Sequence, residues 1–189
     1  MASPLALVVM GVSGCGKSTF AKALSQALNL DFMDGDDLHS PQNVAKMQAG
    51  IALVDADRWP WLERIGNYVA GAKQHLNNNK GRVVACSALR LAYRDQIRRV
   101  APEVKFIFLE GDRALIGSRL AARSGHFMSP HLIDSQFSTL EKPSDKEKDV
   151  LTIPTARPVQ TNLAHVLDAL QHTSGNKGLA KFDTHSFAH

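Results

Sequence analysis

The sequence predicts an α/β fold in which a parallel sheet is covered by helices on both faces. Three observations predict it. Apolar runs of strand length alternate with helical patterns along the whole chain, the order that builds a buried parallel sheet. The first run, Leu5-Ala6-Leu7-Val8-Val9-Met10, leads straight into Gly11-Val12-Ser13-Gly14-Cys15-Gly16-Lys17-Ser18, a full match to the phosphate-loop pattern G-x-x-x-x-G-K-[ST]. That loop precedes an amphipathic pattern with Phe20, Ala23, Leu24, Ala27 and Leu28 on one face.

Strand, glycine loop and helix is the order in which such a loop works. The glycines let the backbone curl so that successive N–H groups converge on phosphate oxygens, and the helix N-terminus adds partial positive charge. Lys17 is placed to reach the β- and γ-phosphates, and the Ser18 hydroxyl to ligate Mg²⁺. Gly11, Val12, Ser13, Gly14, Cys15, Gly16, Lys17, Ser18 and Thr19 thus form a nucleotide-binding segment. Cys15 lies just before the helix N-terminus and two residues from Lys17, a setting that lowers a thiol pKa. A reactive thiolate is therefore one expectation. The plainer one is that Cys15 fills a small-residue position.

Composition bounds the rest. At 189 residues the chain suits one domain, assigned to 1–172, with a polar tail at 173–189. A hydrophobic content of 44% and a charged content of 21% describe an ordinary soluble globular protein. No run is long enough to span a membrane, and the short apolar start is not a signal peptide. Two cysteines, Cys15 and Cys86, make no disulfide framework, so a cytoplasmic protein is expected. The net charge of +4 is spread along the chain without a basic tract interleaved with aromatics, so nucleic acid is not an expected partner.

The elements follow in order. Asp31 to Met33 is a short strand entering an acidic loop, Asp34-Gly35-Asp36-Asp37-Leu38-His39. In extended backbone Asp34 and Asp36 would project to the same side, beside the phosphate loop. A short helix is predicted over 41–49, with Pro41 in its first turn. A longer one runs from the Asp55-Ala56-Asp57-Arg58-Trp59-Pro60-Trp61-Leu62 stretch to about His75, with Asp57 as N-cap. The two tryptophans read as core or cleft wall. Asn77 to Gly81 is a turn, Arg82 to Cys86 a strand, and a basic helix runs through Val100. Val104 to Leu109 is the fourth strand. Asp112 caps a helix carrying Arg119 and Arg123, which share a face. Ser124 to Pro130 and a helix over His131 to Glu141 follow. Val150 to Ile153 is the fifth strand, and Val159 to Gln171 a last amphipathic helix.

The phosphate loop, the run Asp34 to His39, the stretch Asp55 to Leu62, Cys86-Ser87-Ala88-Leu89-Arg90 with Tyr93-Arg94-Asp95, and Gly125-His126-Phe127-Met128 with Ser135-Gln136-Phe137 together resemble the gluconokinase family. The matches run in order over about residues 5–170. The phosphate loop alone is common to many ATPases; the combination is specific. The resemblance implies the P-loop fold of nucleoside monophosphate and shikimate kinases, with a five-stranded parallel sheet and a closing lid at about 119–141. It implies ATP-dependent phosphorylation of D-gluconate at its 6-hydroxyl, with Mg²⁺, and commonly a homodimer. It also implies roles: Asp34 holding Mg²⁺, Asp36 meeting the acceptor hydroxyl, Arg58 binding the substrate carboxylate, Arg123 reaching the phosphates and Arg119 stacking on adenine. His39, Ser87 and Arg90 are candidate polar neighbours of the polyol.

The third strand ends at Cys86-Ser87 without the aspartate common in P-loop enzymes, so metal handling falls on Ser18 and the acidic loop. Which of Asp34 and Asp36 serves the metal stays open from sequence. Another small-molecule kinase, for shikimate or a nucleotide, and a regulatory nucleotide-dependent switch are the other readings. The switch has no need of the acidic loop.

Overall fold

The computed structural model describes residues 4–71, 81–122 and 130–172. Its elements are β1 (Leu5–Met10), α1 (Lys17–Leu28), β2 (Asp31–Asp34), a single 3-10 turn (Gly35–Leu38), α2 (Pro41–Gln48), α3 (Asp55–Ala70), β3 (Gly81–Ala85), α4 (Leu91–Val100), β4 (Lys105–Glu110), α5 (Arg113–Ala121), α6 (Pro130–Thr139), β5 (Val150–Pro154) and α7 (Val159–His172). The strands form one sheet in the order β2-β3-β1-β4-β5, and every pairing is parallel. Alternate residues of each strand feed two cores. Leu7, Val9, Val83, Ile107 and Ile153 pack under α1, α5 and α7, while Val8, Met10, Val84, Phe106 and Phe108 pack under α3 and α4. Each fully buried aliphatic side chain contributes about 1.5–3 kcal/mol. The central runs of β1 and β4 therefore read as apolar because both faces are covered, whereas the edge strand β2 does not.

Local chemistry explains most boundaries. Ser40 caps α2 by accepting from Asn43 N at 3.1 Å, with Pro41 at the first helical position. Asp112 caps α5, accepting from Leu115 N at 2.7 Å. Three expectations need correction. The buried stripe of α1 is Phe20, Ala21 and Leu24, turned toward Ala21, so Ala27 is left exposed at its edge. Asp57 is not an N-cap: Val54 takes that place, and Asp57, in the third helical position, reaches back to accept from Val54 N at 3.0 Å. The other Asp57 oxygen accepts from Lys46 at 2.6 Å, tying α2 to α3. α3 also stops at Ala70, short of His75, with Gly71 as C-cap. The expected turn at 77–80, the lid loop at 123–129 with Arg123, and the tail at 173–189 lie outside the described residues.

One buried ion pair fixes the segments packed against α4. Arg94 on α4 is 1% exposed and grips Glu147 with two hydrogen bonds of 2.7 Å. Its remaining nitrogen donates to Ala88 O at 3.2 Å and Glu141 O at 3.1 Å. Arg98 adds 2.7 Å bonds to Glu147 and Asp149. The loop after β3 and the segment between α6 and β5 are thereby stapled to α4. Burial pushes the Glu147 carboxyl up, but the two arginines prevail and hold it at about 2, below its ordinary 4.5. A depressed acid adds stability that is complete above its unfolded pKa and is lost as pH falls through the folded one. Arg94→Ala should cost about 3 kcal/mol or more by urea denaturation, because it leaves a buried charge short of a partner. Glu147→Gln should be less stable than wild type at neutral pH, with the difference shrinking between pH 4.5 and about 2. A gap that stays constant across that range contradicts the assignment.

Candidate active site

The site lies at the carboxyl ends of β1, β2 and β3, where parallel α/β sheets bind ligands. β1 runs into the phosphate loop. Gly14 has φ +82 there, and a Cβ at this position would sit 2.6 Å from the Leu120 side chain of α5. Both facts require glycine. Gly16, at φ +99, caps α1 without a side chain and leaves the helix N-terminus open. Lys17 Nζ donates to Val12 O at 3.0 Å, which lays the ammonium across the loop. Gly11 N donates to Ser87 O at 3.3 Å, so the second residue after β3 is bonded to the first of the phosphate loop.

The acidic segment differs from its extended expectation. β2 ends at Asp34, which caps the 3-10 turn and accepts from Asp36 N at 3.2 Å. Asp34 and Asp36 are still brought together, by a turn and not by strand alternation. The other Asp34 oxygen accepts from Ser18 Oγ at 2.8 Å. Asp36 is solvent-accessible, yet the protein crowding it and the Asp34 charge raise its carboxyl above the usual range, against the pull of Lys17 and His39. Gly35 makes the docking possible: an added Cβ would meet Ala85 O at 2.5 Å and Ile65 Cδ1 at 2.9 Å.

α3 grips both ends of this turn. The buried Trp61 donates its indole N–H to Gly35 O at 2.7 Å, and Arg64 Nε donates to Leu38 O at 2.7 Å. The Trp61 ring also stacks on His39, with centroids 4.3 Å apart and planes 12° from parallel. Burial lowers the His39 pKa despite Asp36, which keeps the ring neutral. Trp61 is thus core, one of its two expected places, and a support for the acidic turn. Trp59 is half exposed at 37% and meets Tyr93 edge-on.

Arg58 and Arg90 come together from α3 and the loop after β3. Arg90 donates to Asp55 at 2.8 Å, and Arg58 lies 3.5 Å from the same carboxylate. Arg119 donates to Thr155 O at 2.6 Å, tying α5 to the loop after β5. Glu110 pairs with Lys142 and takes no place among these groups. Gln136 on α6, to which the sequence reading gave no role, binds Ser13 twice: its oxygen accepts from Ser13 N at 2.6 Å and its amide donates to Ser13 Oγ at 2.9 Å. Arg113 and Asp134 add an ion pair between α5 and α6.

The Ser18 hydroxyl and Asp34 carboxylate are hard oxygen donors side by side, the set that Mg²⁺ takes together with phosphate oxygens and water. Among the described residues no group of three or more His, Cys, Asp or Glu side chains forms a metal cage. Nor, among them, is any helix long and apolar enough to cross a membrane.

The reactive-thiol expectation for Cys15 is overturned. Cys15 is 2% exposed, and burial raises its pKa, outweighing the lowering by Lys17. Cys86 is pushed up to about 12 by burial. Both are free thiols.

Comparison with known proteins gives the chain its relatives. A family model described as AAA domain matches residues 7–143. The thermoresistant gluconokinase of Escherichia coli K12 is 42% identical over 164 residues, covering 87% of this chain and 92% of that protein. The crystal structure of a gluconokinase from Sinorhizobium meliloti 1021 superposes with a TM-score of 0.80 at 39% identity, covering 94% of this chain and 97% of the other. A shikimate kinase from Bacteroides thetaiotaomicron, at 15% identity, TM-score 0.62 and coverage of 89% and 99%, shares the fold alone.

The buried thiols generate one expectation. In the folded protein without nucleotide, iodoacetamide should modify Cys15 and Cys86 more slowly than it modifies a free thiol at the same pH, and denaturant should abolish the difference. Modification of folded Cys15 at or above the free-thiol rate contradicts its burial.

Proposed function

The chain belongs to the gluconokinase family, on its 42% identity to the Escherichia coli gluconokinase over 87% of its length, and from that membership we infer the chemistry of its site. It is an ATP-dependent kinase that phosphorylates D-gluconate, giving 6-phospho-D-gluconate and ADP. The observation that carries the residue assignment is the bond from Ser18 to Asp34, with Asp36 on the next turn. It sets an acceptor-side carboxylate against the phosphate loop.

In this reading Gly11 to Thr19 cradle the triphosphate, and Arg119 borders the adenine. Ser18 and Asp34 would hold Mg²⁺, which when bound neutralises phosphate charge. Arg58 and Arg90 take the gluconate carboxylate, for which a planar guanidinium is the fitting partner. His39, neutral against Trp61, and Ser87 offer polar contacts to the hydroxyl groups. Asp36 orients the 6-hydroxyl and accepts its proton as the oxygen bonds to the γ-phosphorus and the bond to the β-phosphate oxygen breaks. Lys17 and Arg123 neutralise the charge moving to the leaving ADP. The raised pKa of Asp36 suits a base, since a slightly stronger base takes the proton more readily. The reading includes a cytoplasmic homodimer. Two buried free thiols suit a reducing compartment, and the dimer rests on the family resemblance.

Steady-state kinetics of three variants test the assignment. Lys17→Ala should cut turnover by roughly 10²-fold or more, the usual loss for one transition-state donor. Arg58→Leu should raise the gluconate KM far more than the ATP KM. Asp36→Asn should chiefly lower kcat and remove the acid limb of the rate profile, which in wild type lies above the ordinary aspartate value of 3.8. An Arg58→Leu enzyme whose two KM values rise equally, or an Asp36→Asn enzyme with wild-type kcat, overturns the corresponding role.

A further inference from the structure

Arg58 and Arg90 would repel each other if nothing stood between them. What stands there is Tyr93, the third residue of α4, 4% exposed. The Arg58 guanidinium lies 5.7 Å and the Arg90 guanidinium 5.5 Å from the centre of the same ring, both within cation–π range. The Tyr93 hydroxyl donates to Asp55 Oδ1 at 2.6 Å and accepts from Arg58 Nη1 at 3.3 Å. Asp55 in turn holds Arg90 at 2.8 Å and faces Arg58 at 3.5 Å. Trp59 braces the ring edge-on at 5.6 Å, and Glu141 lies 3.6 Å from the far side of Arg90.

We propose that Tyr93 and Asp55 are positioning residues for the acid-binding arginines: the ring and the internal carboxylate hold two long cationic side chains in one geometry, ready for a single substrate carboxylate. This rests on the reading that Arg58 and Arg90 bind that carboxylate. A guanidinium binds a carboxylate in two parallel hydrogen bonds only when its plane is aligned, and an unrestrained arginine must lose its rotamer freedom on binding. Tyr93 meets that cost in the folded enzyme, and Asp55 cancels part of the repulsion. The hydroxyl stays protonated, since burial and the Asp55 bond both raise its pKa, while the Tyr93 bond lowers that of Asp55. The donor and acceptor roles are therefore fixed. Neither residue reaches the phosphate loop in any bond described, so the pair serves the acid substrate and not the nucleotide.

The test is a comparison of Tyr93→Phe, which keeps the ring, Asp55→Asn, which keeps the shape, and Arg58→Leu. In both Tyr93→Phe and Asp55→Asn the gluconate KM should rise roughly tenfold, the scale of one lost charge-assisted bond. Their ATP KM and kcat should stay within about twofold of wild type. Asp55 is partly exposed, so Asp55→Asn keeps the test decisive if Tyr93→Phe folds poorly. In either folded variant, an unchanged or lowered gluconate KM, a joint rise of both KM values, or a loss confined to kcat overturns the proposal. Arg58→Leu separates the two levels. If it leaves the gluconate KM unchanged, the carboxylate reading itself fails; if it raises that KM while Tyr93→Phe and Asp55→Asn do not, only the positioning role fails.

Discussion

The site depends on the hydrogen bond between Ser18 and Asp34. Phosphoryl transfer is mostly a matter of position, because the reacting oxygens must lie in line and close before any charge moves. The nucleotide half of the cleft is built from β1 and α1, and the acceptor half from β2, its 3-10 turn and α3. Ser18 lies in the first turn of α1 and Asp34 ends β2, so the 2.8 Å bond between them joins the halves at the point where a metal ion and the transferred group belong. Its length is set by the sheet. β3 pairs with both β1 and β2 in parallel register, so all three strands end near one level. Gly35 then lets the turn settle onto Ala85 at the end of β3.

Around this junction the fold spends its buried polar contacts on holding loops still. Trp61 and Arg64 fix the acidic turn from α3, and Gln136 fixes the phosphate loop from α6. Arg94 fixes the backbone around Ala88 and Leu89, next to Ser87 and Arg90. Ala88 itself has φ +41, a conformation side chains rarely adopt, and the bond from Arg94 to its carbonyl supports it there. A site shaped in advance loses less conformational entropy when substrate arrives.

Much of this was legible in the sequence. The central strands β1 and β4 were readable because burial on both faces makes them nearly continuously apolar, and the phosphate loop because its glycines are backbone requirements. Ser18, Lys17, Asp34, Asp36, Arg58 and Arg90 were named from the sequence; the structure bonds Ser18 and Asp36 to Asp34 and brings Arg58 and Arg90 onto Asp55. What was illegible was contact between distant segments. Ser13 and Gln136 are 123 positions apart, and Tyr93 and Asp55 are 38 apart. Cys15 shows the limit most clearly: its chain neighbours, a helix N-terminus and Lys17, argue for a thiolate, but only the fold reveals the burial that outweighs them. Asp57 was misplaced for a smaller reason, since a short carboxylate can satisfy an N–H from inside a helix as well as from its cap, and the acidic segment because Asp34 caps a 3-10 turn where extended backbone was expected.

The central claim is that the carboxylates at the end of β2 present the 6-hydroxyl of gluconate to the phosphate of ATP. The most direct measurement is the position of the phosphate on the product, by carbon and phosphorus NMR of gluconate labelled with ¹³C at carbon 6 and incubated with enzyme, Mg²⁺ and ATP. The account predicts a single phosphorylated product whose labelled carbon is split by phosphorus, with one ADP formed per molecule. Phosphate attached elsewhere on the sugar acid, or ADP and free phosphate released at the same rate without gluconate, would contradict it.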